Sequence, residues 1–101
     1  MLLAVVLVIL LQPGHGTSLP SSECFDHGLQ YAGVALNTPE NDKTPSPEAC
    51  QLFCQTVFDC VAFSWVDDSY SLEYLRLSCT LWEEVMVDLV DYHFVSGPRT
   101  C

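Results

Sequence analysis

The sequence predicts a small α+β domain in which one helix packs on an antiparallel sheet and disulfide bridges supply much of the stability. One segment repeats apolar residues at the spacing of a helix face, and several others alternate as strands do. Cysteines follow an apolar N-terminal leader, and an even count in an exported chain is typical of disulfides. There are six of them, Cys24, Cys50, Cys54, Cys60, Cys79 and Cys101.

Residues 1–18 are predicted to be a signal peptide, 19–23 a short tail and 24–101 the folded domain. Met1 to Leu11 is almost entirely apolar and is followed by a Gln-Pro-Gly break. The run is too short for a membrane-spanning helix, which takes about 20 residues, but it suits a signal-peptide core. Cleavage after Gly16 or after Ser18 fits the small residues there, and a short membrane anchor is the alternative. We therefore expect a protein that is secreted or held in a secretory organelle, with no membrane span in its mature chain.

The charge balance restricts the partners. The chain has 13 acidic residues, all after the leader, against only Lys43, Arg76 and Arg99. Nucleic acids, heparin and anionic membranes are polyanions, so none of them is expected to bind. A basic protein or a neutral sugar remains compatible with this charge, and the sequence carries no signal for an oligomeric state.

The helix is predicted from its start signals and from its apolar face. Residues 37–47 are rich in proline and turn formers, which indicates a loop. At its end, Ser46 can cap, Pro47 suits the first helical position and Glu48 favours the positive end of the helix dipole. One helix face then carries Cys50, Phe53, Cys54 and Val57.

Four segments are predicted as strands, and Asp67 to Ser71 between them as an exposed polar loop. In the second strand, Phe63 and Trp65 share one face with Val61, while Cys60, Ala62 and Ser64 share the other. Trp65 is assigned to the core. In the third, Leu75, Leu77, Cys79 and Leu81 share a face. The four segments are Leu29 to Leu36, Cys60 to Trp65, Leu75 to Trp82 and Val85 to Val95.

Six cysteines allow 15 pairings, and geometry disfavours some of them. Cys50 and Cys54 are one turn apart on a helix, farther than a disulfide spans. Cys54 and Cys60 can meet across a short turn, and Cys50 can reach a central strand such as the one that holds Cys79. A zinc site that uses Cys50 and Cys54 is the alternative, but secretion favours oxidation and structural zinc usually shows two close-spaced ligand pairs. No metal or other cofactor is expected.

Several strings resemble the PAN/apple domain family. They are Ser46 to Cys54, Cys60 to Trp65, Cys79 to Leu81 and Ser96 to Cys101. The resemblance covers the whole region after the leader and implies a curved antiparallel sheet of about five strands that cradles one helix. It also implies the bridges Cys50–Cys79, Cys54–Cys60 and Cys24–Cys101.

Family members are binding modules for proteins or carbohydrates. As a single copy without a protease domain, this chain most resembles the micronemal adhesin or lectin members of apicomplexan parasites. A piece of a larger protein with several such domains is the alternative.

No catalytic residue is predicted. His27 and His93 are the only histidines after the leader, and each is interpreted as a surface or internally bonded residue. No nucleophile, zinc or phosphate-binding motif occurs, and bridged cysteines leave no thiol. We therefore do not expect an enzyme.

A ligand site is predicted where carboxylates and aromatic rings occur together, because carboxylates accept sugar hydroxyls and aromatic rings stack on sugars. A solvated acidic loop is the alternative, and two adjacent carboxylates supply too few oxygens for calcium. Trp82, beside Glu83 and Glu84, forms a second patch whose indole is also compatible with the core. The candidates are Asp67, Asp68, Tyr70, Glu73, Tyr74 and Trp82.

The expected function is therefore carbohydrate recognition or adhesion. The alternative is a protein–protein module whose acidic face binds a basic partner, and its binding would weaken as salt rises.

Overall fold

The computed structural model describes residues 24–101, so the predicted signal peptide and tail lie outside the described residues. Strand β1 spans Asp26–Ala35, helix α1 Pro47–Thr56, strand β2 Ala62–Val66 and strand β3 Cys79–Pro98. Two 3-10 helices, Pro39–Asn41 and Glu73–Leu75, lie in the connections. The domain is a small α+β unit with one α-helix, an antiparallel sheet and three disulfides. Within residues 24–101, no helix has the length and apolar character needed to cross a membrane.

Helix α1 begins where its start signals predict. Ser46 has extended backbone, and its hydroxyl accepts a hydrogen bond from the Ala49 amide at 3.1 Å. This bond satisfies one of the free amides of the first turn. Pro47 occupies the first helical position, and Cys50 and Cys54 are fully buried on the inner face. The helix prediction is confirmed.

Strand β2 lies between the two ends of β3. As β2 runs from residue 62 to 65, its partners run from 82 down to 79 on one side and from 98 down to 95 on the other. Partner numbers fall as β2 numbers rise, so both pairings are antiparallel. Strand β1 pairs antiparallel with β3 along its whole length, from Asp26 opposite Ser96 to Ala35 opposite Trp82. The β1–β3 ribbon therefore coils until both ends of β3 reach β2.

The expectation of about five strands is wrong, because residues 24–101 form three. The predicted strands at 75–82 and 85–95 form one continuous strand, and β1 pairs across their junction. Leu75 and Leu77 do not share a sheet face with Cys79 and Leu81, contrary to prediction. Leu75 ends a 3-10 helix, and Leu77 has a left-handed φ of 64°, which a strand does not allow. The strand therefore starts at Cys79.

One face of the sheet packs against α1. Phe63 and Trp65 point to this face, so the assignment of Trp65 to the core is confirmed. Cys60 was expected on the opposite face, but it precedes β2 and packs in the same cluster, because its bridge to Cys54 turns it toward the helix. The buried cluster consists of Phe25, Cys50, Cys54, Cys60, Phe63, Trp65, Cys79 and Leu81.

The other face carries a buried polar network centred on Ser64. Its hydroxyl oxygen lies 3.1 Å from the Tyr31 amide nitrogen, 3.0 Å from the Trp82 indole nitrogen and 2.7 Å from the Ser96 hydroxyl. The Ser96 hydroxyl donates in turn to the Leu29 carbonyl at 2.8 Å. These bonds join the middle of β1 to β2 and to both ends of β3. They hold the coiled ribbon over the sheet.

Three disulfides close the domain. Cys24–Cys101 joins its two ends with a Cα separation of 5.7 Å, Cys50–Cys79 joins α1 to β3 at 5.5 Å, and Cys54–Cys60 joins α1 to the segment before β2 at 5.4 Å. These are the pairings that the resemblance implies. No cysteine is free, so none is available as a thiolate ligand for zinc. Three bridges fit an oxidising compartment.

Candidate functional site

Asp67 follows β2 directly and is bonded inward. One carboxylate oxygen accepts from the Ser69 amide at 2.9 Å, from the Ser69 hydroxyl at 2.8 Å and from His93 Nδ1 at 3.1 Å. Partial burial raises the pKa of Asp67, but these bonds from Ser69 and His93 outweigh it and hold the pKa below its usual value of 3.8. The Asp67 amide also donates to the His93 carbonyl at 2.9 Å. Asp67 therefore anchors the loop to β3.

Tyr70 is half-buried and packs on β3. Its ring meets the rings of His93 and Phe94 edge to face, each at a centroid distance of 5.5 Å. Its carbonyl accepts a hydrogen bond from Arg76 Nε at 2.7 Å. Asp67 and Tyr70, predicted as ligand contacts, thus have internal partners that fix the loop.

Asp67, His93 and Ser69 do not form a nucleophilic triad. In such a triad, aspartate and serine bind opposite ring nitrogens of the histidine. Here Ser69 lies 3.2 Å from Nδ1, the same nitrogen that Asp67 contacts, and its hydroxyl also bonds to Asp67. The serine proton thus has the carboxylate as its acceptor, and this arrangement leaves the hydroxyl without an activating base. The histidine that the sequence suggested would be internally bonded serves to hold the loop.

The other candidate residues divide into exposed and buried ones. Asp68, Glu73 and Tyr74 are exposed, the last with 59% of its surface accessible. Trp82 is only 8% exposed, and its indole nitrogen donates to Ser64, so little of its surface can contact a ligand. The structure therefore does not bring the six candidates together as one surface.

A pocket that the sequence did not indicate lies at the end of the first 3-10 helix. Its volume is about 300 Å³. The loop that forms one wall is held like an added strand, because the Thr44 amide donates to the Leu77 carbonyl at 2.9 Å and the Cys79 amide to the Asp42 carbonyl at 2.8 Å. Helix α1 supplies the apolar wall. The lining residues are Asn41, Asp42, Lys43, Thr44 and Phe53.

Lys43 connects this pocket to the exposed candidates. Its ammonium donates to the carbonyl of Tyr74 and to that of Arg76, the latter at 2.9 Å. The first 3-10 helix, which supplies Asn41, also packs on the second, which carries Glu73 and Tyr74. The backbone of Tyr74 therefore lies beside Lys43, while the Tyr74 side chain is not part of the pocket lining.

The pocket offers polar groups of several kinds around one ring. The Asn41 amide and the Asp42 carboxylate can bind hydroxyls, whereas the Lys43 ammonium and the Thr44 hydroxyl already donate to backbone carbonyls; Phe53 supplies an apolar surface. Asp42 accepts from the Asn37 amide at 2.9 Å and keeps capacity for further donors. Across residues 24–101, no three histidine, cysteine or acidic side chains come together as metal ligands.

Sequence reasoning missed this site for two reasons. The loop at 37–47 has only turn chemistry in its sequence, and the spacing of Phe53 predicts a place on the buried helix face. The pocket exists because the loop pairs with residues 77–79, which local patterns do not show.

No protein family and no curated protein matches the chain.

Proposed function

We propose that this chain is a secreted, non-catalytic binding domain of the PAN/apple type that recognises carbohydrate. One helix on an antiparallel sheet, closed by three bridges, is compatible with that family. The bridges also fit secretion, because disulfides persist in oxidising compartments. The residue contacts of Asp67, Ser69 and His93 favour a loop anchor over catalysis.

The pocket at residues 41–44 carries the proposal. About 300 Å³ is at the small end of ligand sites and suits one sugar ring rather than a large cofactor. Asp42 and Lys43 contribute opposite charges, so the lining as a whole favours a neutral ligand. Hydroxyl-rich ligands need donors and acceptors at several points, and the Asn41 amide and the Asp42 carboxylate supply both kinds. Phe53 offers a face on which a pyranose ring can stack, and Tyr74, an exposed residue whose carbonyl Lys43 contacts, can add a second.

The site of the proposal overlaps only part of the surface that the sequence suggested. Asp68, Glu73 and Tyr74 are exposed in the connection between β2 and β3, and the Tyr74 carbonyl of that connection accepts from Lys43 of the pocket. Asp67 and Tyr70 support that loop from within. Trp82 has no role in it.

A glycan array probed with the oxidised protein tests the proposal. Asn41→Ala and Tyr74→Ala should each weaken selective glycan binding. Tyr92→Ala is the matched control, because Tyr92 is also exposed but lies on β3, outside the pocket. All variants should keep the parent melting temperature within a few degrees, since none of these three side chains belongs to the buried cluster. An array without signal from folded protein, or equal loss in Tyr92→Ala, would contradict the proposal.

A further inference from the structure

The middle of β3 is an apolar strand with one open edge. Pairing with β2 stops at residue 82 and resumes at 94, so on that side residues 83–92 have no strand partner in the part of the chain that the structure describes. We call residues 83–92 the open segment. Its apolar side chains stand in solvent, with Val90 79% and Tyr92 89% exposed. They are Val85, Met86, Val87, Leu89, Val90 and Tyr92.

An exposed apolar strand with a free edge is a template for another strand. Its unpaired amides and carbonyls can bind an extended peptide, and its side chains supply apolar contact. Monomeric proteins rarely leave so many large apolar side chains together in water, and such patches mark interaction surfaces. The open segment therefore has the properties of a docking strand.

The charge of the open segment selects the partner. It carries four carboxylates and no basic residue, and the carboxylates are Glu83, Glu84, Asp88 and Asp91. Two copies paired edge to edge would bring eight carboxylates together, which disfavours a second copy of this chain.

The basic residues of this chain are bonded elsewhere. Arg99 donates to the Val57 carbonyl at 2.7 Å and to the Cys60 carbonyl at 2.8 Å. Arg76 donates to Tyr70, and Lys43 donates to the carbonyls of Tyr74 and Arg76. Within residues 24–101, the carboxylates of the open segment thus have no cationic side chain as a partner, and a basic partner would complement them.

We propose that the open segment binds an extended segment of a partner protein, in which apolar residues alternate with lysine or arginine, as an added β-strand. Backbone bonds along the free edge would supply register. Apolar side chains of the partner would cover Val90 and its neighbours, and its cations would pair with the carboxylates. This surface is separate from the carbohydrate pocket and does not depend on it.

The probe is a synthetic peptide of about eight residues that alternates valine and lysine, titrated into the oxidised ¹⁵N-labelled protein. Chemical-shift changes should concentrate in residues 83–92. Two companion peptides separate the contributions: glutamate in place of lysine tests charge, and N-methylated valine tests backbone pairing. Each should bind at least about tenfold more weakly.

Variants locate the site. Val90→Ser and Tyr92→Ser should each weaken peptide binding by roughly tenfold, since both remove the most exposed apolar contacts of the open segment. Phe58→Ser is the matched control, because Phe58 is 92% exposed but lies in the connection between α1 and β2, outside the open segment. These side chains are exposed, so the fold should survive, and the dispersion of the ¹⁵N spectrum checks this.

Several results would overturn the proposal. They are absence of binding up to millimolar peptide, shifts centred outside 83–92, equal binding of the lysine and glutamate peptides, and equal loss in Phe58→Ser. A concentration-dependent dimer that Val90→Ser abolishes would also overturn it, because it would assign the open segment to a second copy.

Discussion

Replacing Ser64 by alanine should destabilise the domain far more than the loss of one small hydroxyl suggests. The Ser64 oxygen has two lone pairs and one proton. Amide and indole nitrogens can only donate, so Tyr31 and Trp82 occupy both lone pairs. The Ser64 proton must then go to Ser96, whose own proton goes to the Leu29 carbonyl. The donor and the acceptor of every hydrogen bond in this network are therefore fixed, and Ser64 is the acceptor that Tyr31 and Trp82 share.

The loss of unfolding free energy can be worked out from the two donors that the substitution leaves without an acceptor. Ser64 is 1% exposed and Trp82 8% exposed, so solvent offers little replacement. A buried donor without an acceptor costs about 1–3 kcal/mol, and two such donors cost about 2–6 kcal/mol. Ser96 keeps its bond to Leu29 and adds little to this loss.

Urea unfolding of the oxidised protein measures the effect. At an m-value of about 1–3 kcal/mol/M, such a loss moves the midpoint by roughly 1 M or more. Amide exchange at Tyr31 should also accelerate, because its acceptor is gone. Ser71→Ala is the control, since Ser71 is exposed, and it should stay within about 0.5 kcal/mol of the parent. A loss below 1 kcal/mol for Ser64→Ala, or one equal to that of Ser71→Ala, would refute the reasoning.

Three further substitutions test the Asp67 contacts that hold the loop, the pairing of β1 with β3, and the disulfide bridges. Ionised Asp67 stabilises the fold above its usual pKa, and that contribution is lost as pH falls through its lowered pKa. Asp67→Asn should therefore be less stable than the parent near neutral pH, but its free energy of unfolding should fall less as the pH is lowered. Unfolding measured at several pH values tests this. An equal fall with pH in variant and parent would contradict it. Gly33→Ala should lower the free energy of unfolding by about 1–3 kcal/mol, because a Cβ at this position would collide with the β3 backbone at Glu84. Thermal unfolding tests this, and an unchanged melting temperature would contradict it. Replacing both cysteines of Cys24–Cys101 by serine removes a bridge that spans 77 residues, and the free energy of unfolding should fall by about 4.5 kcal/mol. The same change at Cys54–Cys60, which spans 6 residues, should lower it by about 2 kcal/mol. If urea unfolding shows the reverse order, loss of chain entropy does not explain the effect of the bridges.

Local chemistry in the sequence was sufficient for helix α1. Ser46, Pro47 and Glu48 act within one turn, and the apolar spacing that follows is continuous. The boundaries of β3 were not predictable in the same way. Its start depends on the left-handed backbone of Leu77. Leucine rarely adopts this conformation, so the sequence does not predict it. Its length depends on pairing with β1, a contact between distant parts of the chain.

The loop after β2 shows why the candidate site was only partly predictable. Its composition correctly indicated a polar segment, but composition does not reveal which carboxylate has an internal partner. Asp67 and Tyr70 are bonded inward only because β3 brings His93 and Phe94 beside them. Tyr74, with no such neighbour, is left exposed.

Salt should separate the two proposed surfaces within one protein. At the pocket, Asp42 and Lys43 contribute charges that cancel, and a neutral sugar adds none. At the open segment, four carboxylates would face a basic peptide, and no cation from residues 24–101 pairs with them. Raising ionic strength from about 0.1 to 1 M shortens the Debye length from about 10 to 3 Å, which screens the second contact and leaves the first almost unaffected. Glycan affinity should therefore hold while lysine–valine peptide affinity falls. If both decline together, binding at the pocket is electrostatic too, and the neutral-ligand argument from Asp42 and Lys43 is wrong.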